Sequence, residues 1–498
     1  MDLETFLGAL SHLGDPLTLI VMVIATFVGI VVGALPGLGT VTALAMVLPF
    51  TFALSAPQAI GMLLAIYVSS IFGGAIPAVL INVPGTPQSA ATTFDGYPMA
   101  QKGHADEALG WVTMASTIGG LFSGLVLIFA APQLASLAIR FGSIETLALI
   151  IFSLTTIAWV SSGSTLKGLL AGVVGLVLST VGIDSMSGVE RFTFGNFALS
   201  AGLHAVPILI GLFALSEVFM SAGKKMVVAD AIDHAGFKIA PFTAWWRLKR
   251  TLLRSSLIGT FLGVLPGIGA TAASLLSYSR ARAASPVRDR FGTGEPEGLV
   301  SSEVANNAVT GGALVPTLAL GIPGDAATAV MMGALIIHGV TPGVQLFAHN
   351  PDLIAFIFVA LLAANVMMFL AGALTTRLFT RILRIPHALI MGFVVALALA
   401  GSFVVRASIL DVWIAVVAGM VGFLLRLANV PLAPIVIGFI LGPSLETSLR
   451  QGLILTQMNP VRFFERPIAS LIFAVTFLVV SWPLMRTVAR RREMRREP

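Results

Sequence analysis

Apolar runs of roughly 17–25 residues recur from one end of this chain to the other, each long enough as a helix to cross a hydrocarbon layer about 30 Å thick. Hydrocarbon offers the backbone no hydrogen-bond partners, so such runs must fold as spanning helices or as strands of a closed barrel. They are rich in Leu, Ala, Val and Ile and lack the dyad alternation of a barrel, which leaves a helical bundle. Composition agrees. Of 498 residues 57% are apolar and 10% charged, with a mean hydropathy of +0.96. A soluble domain carries about 25% charged residues. The expected class is an all-α polytopic membrane protein, lipid bilayer around it, with about 11–12 membrane segments.

The net charge of +6 does not point to nucleic acid, because the basic residues gather in short loops and the C-terminal tail, as the positive-inside rule predicts. Cysteine is absent, which excludes disulfides and thiolate metal sites. The first residues, MDLETFLGALSHLGD, show neither a basic n-region nor a small-residue cleavage site, so no cleaved signal peptide is expected. Arg486, Arg490, Arg491, Arg492, Arg495 and Arg496 mark a cytoplasmic C-terminus. Lys224, Lys225, Lys238, Arg247, Lys249, Arg250 and Arg254 mark a cytoplasmic central loop, and Arg377, Arg381 and Arg384 a third inner point. The acidic N-terminal segment belongs outside. Counting crossings between these markers also places Lys102, Lys167 and Asp95 in solvated cytoplasmic loops, and closes without contradiction.

An internal repeat is the most informative pattern. GIVVGALPGLG at 29–39 matches GTFLGVLPGIG at 259–269, with Gly29, Gly33, Pro36, Gly37 and Gly39 each recurring 230 residues later. GGAIPAVLINVPGTP at 73–87 matches GGALVPTLALGIPGD at 311–325, where Pro77, Pro84 and Gly85 recur as Pro316, Pro323 and Gly324 at an offset of 239. The first copy starts outside and the second inside, so the repeats are expected to be inverted in the membrane. Residues 1–222 form the first repeat, 223–251 a basic cytoplasmic linker, 252–443 the second repeat, and 444–498 an extra helix with a basic tail. Each repeat should hold one re-entrant hairpin, tipped by LPGLG or LPGIG, and one helix broken near Val83-Pro84-Gly85 or Ile322-Pro323-Gly324. Exchanging hairpin and simple span is the alternative; it would put four arginines outside.

Paired Gly/Pro-interrupted segments in inverted halves point to a transport site, since half-helix N-termini suit an anion and unwound carbonyls a cation. Close helix packing is the competing account of the same residues. The candidate substrate-binding residues are Pro36, Gly37, Gly39, Thr40, Asn82, Pro84, Gly85, Thr86, Gly267, Gly269, Thr271, Pro323 and Gly324. The candidate cation-coupling residues are Asp325, Thr328, Asn306 and Asn307. Asp325 follows Pro-Gly in an apolar stretch, and either binds Na⁺ or a proton or caps the helix starting near Ala326. Glu303 shares a helical face with Asn306 and Asn307, with interfacial solvation as the other reading. The histidines show no metal-ligand spacing, no Walker A sequence appears, and no nucleophile–base pair stands out; an enzyme is not expected. No cofactor is expected beyond a coupling Na⁺. A channel or anion pore would also use broken helices and remains the second class of function.

GALPGLGTVTALAMVLPFTF, GGAIPAVLINVPGTPQSAATTFDGYPMAQKG and SSEVANNAVTGGALVPTLALGIPGD resemble the signature segments of the TctA family, the large membrane subunit of tripartite tricarboxylate transporters. The resemblance covers essentially the whole chain. It implies a secondary transporter of the bacterial inner (cytoplasmic) membrane that imports tricarboxylates or related di- and aromatic carboxylates, driven by Na⁺ or H⁺. It also implies two partners, a small TctB-like membrane subunit and a periplasmic TctC-like solute-binding protein. A binding-protein-dependent permease of TRAP-like type is the nearest alternative.

Overall fold

The computed structural model describes residues 3–160, 164–222, 236–382 and 387–494. Lys224, Lys225, Arg384, Arg495 and Arg496, and residues 223–235 of the expected linker, lie outside those residues. The chain is 80% helical. Among the described residues, Pro16–Ala34, Ala56–Ile81, Thr92–Ala138, Pro351–Leu374 and Ile409–Leu427 are each long and apolar enough to cross a bilayer, and seven shorter apolar helices accompany them. The all-α, multi-pass membrane class stands. Two compact units divide the chain.

The first unit comprises 1–136 and 206–424 and contains all four Pro-Gly interruptions. Here the two matched motifs fold alike. Helix Pro16–Ala34 ends at an extended Leu35 (φ −89°, ψ 109°), and helix Lys249–Val264 ends at an extended Leu265 (φ −82°, ψ 113°). A turn follows in which Gly37 and Gly39 have φ of 99° and 53°, and Gly267 and Gly269 have φ of 89° and 68°. Both glycines of each LPGxG therefore sit where a Cβ is penalised, which accounts for their spacing. Helices Gly39–Val47 and Gly269–Ala284 then begin.

The second motif pair also recurs. Helix Ala75–Ile81 stops at Asn82 (φ 56°, ψ 26°), whose N–H bonds the Pro77 carbonyl. Helix Pro296–Leu320 stops at Gly321 (φ 68°, ψ 27°), whose N–H bonds the Pro316 carbonyl. Both are left-handed C-caps closed on the carbonyl of a proline in the last turns of the helix, and the chain is non-helical through the Pro-Gly beyond. Packing repeats as well. Gly33 lies against Ser70 and Gly263 against Val309, close enough that an added Cβ would stand 2.1 Å and 2.7 Å from the respective carbonyl oxygens. The two copies also exchange contacts. Helix Gly39–Val47 packs on helix Ala326–Ile337, and helix Gly269–Ala284 packs on the 3₁₀ turn Pro87–Ser89.

One expectation for this unit is overturned. Asp95 is fully buried, not solvated. One carboxylate oxygen accepts the N–H groups of Gly292, Gly294 and Glu295 and the other accepts the Tyr278 hydroxyl. These four donors replace water, so the charge is tolerated inside and clamps the 292–295 loop. Lys102 is exposed, as expected, and donates to the Thr293 carbonyl at 2.6 Å.

The second unit, 137–205 with 425–498, packs helix Ala433–Leu455 on helices Ser143–Val160 and Thr165–Ser179, with Pro467–Met494 on the first of these. Gly175 meets the Ile435 carbonyl directly, a small-residue crossing typical of membrane helices. A two-residue antiparallel pair, Gly182 with Arg191 and Ile183 with Glu190, shapes the loop after 179. A chain of charges ties that loop to the 433–455 helix. Arg450 bonds Asp184 at 2.7 Å and Glu446 at 2.6 Å, and Arg191 grips Glu446 with its two terminal guanidinium nitrogens.

Candidate functional site

Within each copy the two interruptions meet in the first unit. The Gly267 N–H donates to the Gly324 carbonyl at 2.7 Å, joining the tip of the second copy to its own broken helix. In the first copy, an added Cβ on Gly85 would lie 2.2 Å from the Gly33 carbonyl oxygen, so its break abuts the end of the helix leading to the tip. The Gly85 N–H bonds the Gly74 carbonyl, and the Gly324 N–H bonds the Thr317 hydroxyl. Pro323, Gly324, Gly85 and Thr86 are buried, whereas Asn82 and Gly37 are exposed and Thr271 is half-buried.

Helix starts differ in a way that bears on anion binding. Asp325 caps helix Ala326–Ile337. Its Oδ1 accepts the Thr328 N–H at 2.7 Å and hydroxyl at 2.9 Å, and the Thr328 hydroxyl accepts the Asp325 N–H in return. Its Oδ2 accepts the Tyr67 hydroxyl at 2.9 Å. The structure thus supplies the capping geometry, and this N-terminus already holds its own anion. Thr86 and Ser89, at the same offset of 239, form the neutral equivalent, their hydroxyls 3.3 Å apart. The starts at Gly39 and Gly269 carry no side-chain cap. In the first turn of the Gly39 helix the Thr40 hydroxyl is buried without a hydrogen-bond partner, and so is the Ser274 hydroxyl, five residues into the Gly269 helix. Uncapped first-turn N–H groups next to unpaired hydroxyls suit a carboxylate.

Asn306 and Asn307 lie apart from the Asp325 cap in hydrogen bonding. Both are fully buried in helix Pro296–Leu320, and both amide oxygens lack a partner. The Asn307 amide N–H approaches the Met368 sulfur at 3.4 Å. Glu303 is buried on the same helix and accepts the Ser116 hydroxyl at 2.9 Å and the Thr92 hydroxyl. Interfacial solvation does not describe it.

Three site residues escaped sequence reasoning. Tyr67 reads as one more apolar position, although a tyrosine wholly inside an apolar helix needs a partner for its hydroxyl. Ser116 is hidden among the small residues of its helix. Glu217 lies beside the first tip, where an added Cβ on Gly37 would come within 3.1 Å of its carboxylate. A lone Glu in an apolar run was the available signal. Among the described residues no cluster of three His, Cys, Asp or Glu could hold a metal ion.

The profile of the "Tripartite tricarboxylate transporter TctA family" matches residues 19–437. A 52.8 kDa protein described as uncharacterized, in the TAR-I ttuC' 3'region of Agrobacterium vitis, is 35% identical over 96% of this chain and 95% of its own length. A second Agrobacterium vitis protein, in the TAR-II ttuC' 3'region, is 32% identical over 47% of this chain and 97% of its own length. No solved structure matches.

Proposed function

The chain belongs to the TctA family of tripartite tricarboxylate transporters, and from that premise we propose that it is the large permease subunit of a binding-protein-dependent secondary transporter. Its substrates are tricarboxylates or related di- and aromatic carboxylates, imported across the bacterial inner membrane by alternating access and coupled to Na⁺ or H⁺. A TctB-like small membrane subunit and a TctC-like solute-binding protein complete the system. The N-terminus faces the periplasm and the C-terminus the cytoplasm. The two motif copies are related by inversion in the membrane, and each LPGxG is the tip of a re-entrant hairpin.

One observation carries this reading. Two helix starts, at Gly39 and Gly269, are uncapped, the first with the buried unpaired Thr40 hydroxyl in its opening turn, and within each copy the two interruptions contact each other. Backbone N–H groups and hydroxyls bind a carboxylate reversibly, without the deep trap that a buried Arg would make. Pro36, Gly37, Gly39, Thr40, Gly267, Gly269 and Thr271 shape the two tips, and Asn82, Pro84, Gly85, Thr86, Pro323 and Gly324 the breaks against them. The test is uptake of labelled citrate and other carboxylates into proteoliposomes holding the membrane subunits, with the binding protein outside. Uptake that follows an imposed Na⁺ or H⁺ gradient is expected. Indifference to every gradient, or flux at channel rates, would sink the proposal.

A further inference from the structure

We propose that Glu303 and Asn306 form an internal site for a monovalent cation, a proton or Na⁺, away from the helix cap at Asp325. The site is distinguished by how little its carboxylate has been given. The other deeply buried carboxylates of this unit are neutralised in visible ways. Asp95 collects three backbone N–H groups and the Tyr278 hydroxyl, and Asp411 is gripped by Arg406 at 2.5 Å. Asp325 sits at a helix N-terminus, where backbone N–H groups and the dipole stabilise it. Glu303 lies in the interior of helix Pro296–Leu320 with no exposed surface, and although Thr92 opens helix Thr92–Met99, what it gives Glu303 is its hydroxyl and no backbone N–H.

Two hydroxyls, those of Thr92 and Ser116, are its bonded partners. Of the titratable groups on the helices packed around it, four are engaged elsewhere. Tyr67 bonds Asp325, Tyr278 bonds Asp95, Arg254 pairs with Glu297, and Lys249 lies over the Trp246 ring. Tyr97, Arg250, Arg280, Arg282 and His349 form no bond to Glu303. A carboxylate enclosed in apolar surroundings without a counter-charge takes up a cation, either a proton on its oxygen or a metal ion beside it.

Asn306 supplies the second observation. It lies one helical turn beyond Glu303, beside the carboxylate but outside good hydrogen-bond geometry, and both polar atoms of its fully buried amide are left without a partner. Buried amides are almost always paired, so an unpartnered one next to an uncompensated carboxylate points to a ligand. Its amide oxygen accepts the hydrogen bond of a protonated Glu303. Alternatively it joins the carboxylate and the Thr92 and Ser116 hydroxyls in an all-oxygen set that suits a hard cation such as Na⁺.

That this cation is the coupling ion rests on the transport reading above; that it binds does not. The test compares melting of the purified full-length protein in Na⁺ and in choline at equal ionic strength, each across a range of pH. Wild type should be stabilised by Na⁺ over choline if the site takes Na⁺, or show a pH-dependent melting step in choline if it takes a proton. Glu303→Gln, a neutral isostere, and Asn306→Leu should lose that response, while Glu303→Asp keeps it with a shifted midpoint. Wild type that answers to neither ion, or Glu303→Gln that answers as wild type does, overturns the site. If Glu303→Gln does not fold, Asn306→Leu and Glu303→Asp decide in the same way. Uptake separates the two claims. Gradient-insensitive wild type defeats the transport reading, whereas gradient-driven wild type with an equally driven Glu303→Gln defeats only the site.

Discussion

At the scale of single residues, Asp325 shows how one carboxylate can be held by local chemistry and by a remote partner at once. The cap to Thr328 is local and the Tyr67 hydroxyl comes from a helix 258 positions away. Asn is also a good N-cap, so Asp325→Asn should keep nearly all the stability, whereas Asp325→Ala should lose about 1 kcal/mol for the cap and a further ~1–3 kcal/mol for stranding the buried Tyr67 hydroxyl. Tyr67→Phe leaves Oδ2 without its side-chain donor and should cost about 1–3 kcal/mol. Thermal unfolding in detergent measures all three, and an Asp325→Ala protein as stable as Asp325→Asn would remove the capping role. The cap was legible beforehand as one of two readings, because Asp is favoured at a helix start and follows the Pro-Gly break. The Tyr67 contact was not, since nothing in an apolar helix announces which distant break it meets. Asp95 misled for the same reason. Its partners are backbone N–H groups about 200 positions along, and backbone N–H groups look alike in every sequence.

At the scale of elements, interruptions were easier to read than their surroundings. Proline and left-handed glycine act on their own backbone, so both tips and both breaks appear where the motifs stand. The motif glycines do two different jobs, which substitution separates. Gly39 and Gly269 have positive φ and open space where a Cβ would go, so Gly→Ala there should cost about 1–2 kcal/mol from backbone strain. Gly33 and Gly263 are helical and touch a carbonyl of the facing helix, so Gly→Ala there should cost about 1–3 kcal/mol by forcing the helices apart. Melting temperatures of detergent-purified variants should fall in all four. Asn, which tolerates positive φ, should recover part of the loss at Gly39 and Gly269 and, being larger, deepen it at Gly33 and Gly263, where the Cβ meets backbone; the same order of Ala and Asn at all four would refute the distinction.

The loop tied down by Arg450 offers a pH test at the same scale. The Ser187 hydroxyl, the Met186 N–H and Arg450 hold the Asp184 carboxyl below its ordinary range. A carboxyl depressed in the folded state contributes its stability in full above its unfolded pKa, about 3.9, and loses it as pH falls through the lower folded value. The melting-temperature gap between wild type and Asp184→Asn should therefore be widest near neutrality and shrink on acidification below about pH 4. A gap unchanged across that range would mean that Asp184 acts by shape alone.

For the whole molecule, the decisive question is how the two motif copies are oriented, because alternating access across one central site needs equivalent gates facing opposite sides. Matching φ values and matching contacts establish that the copies fold alike, yet a parallel and an inverted duplication share those local features. Orientation was read from charge: the segment before the first copy is acidic and free of Lys and Arg, whereas the one before the second carries Arg247, Lys249 and Arg250. The natural absence of cysteine makes this directly testable, since any introduced thiol is the sole one in the chain. Ser11→Cys and Thr243→Cys lie at exposed positions just ahead of each copy. In intact spheroplasts a membrane-impermeant maleimide should label Ser11→Cys at once and Thr243→Cys only after permeabilisation. Labelling of both from the same side would make the copies parallel. The LPGLG and LPGIG tips could not then serve as opposed gates, and the alternating-access scheme would fall while the fold of each motif remained as described.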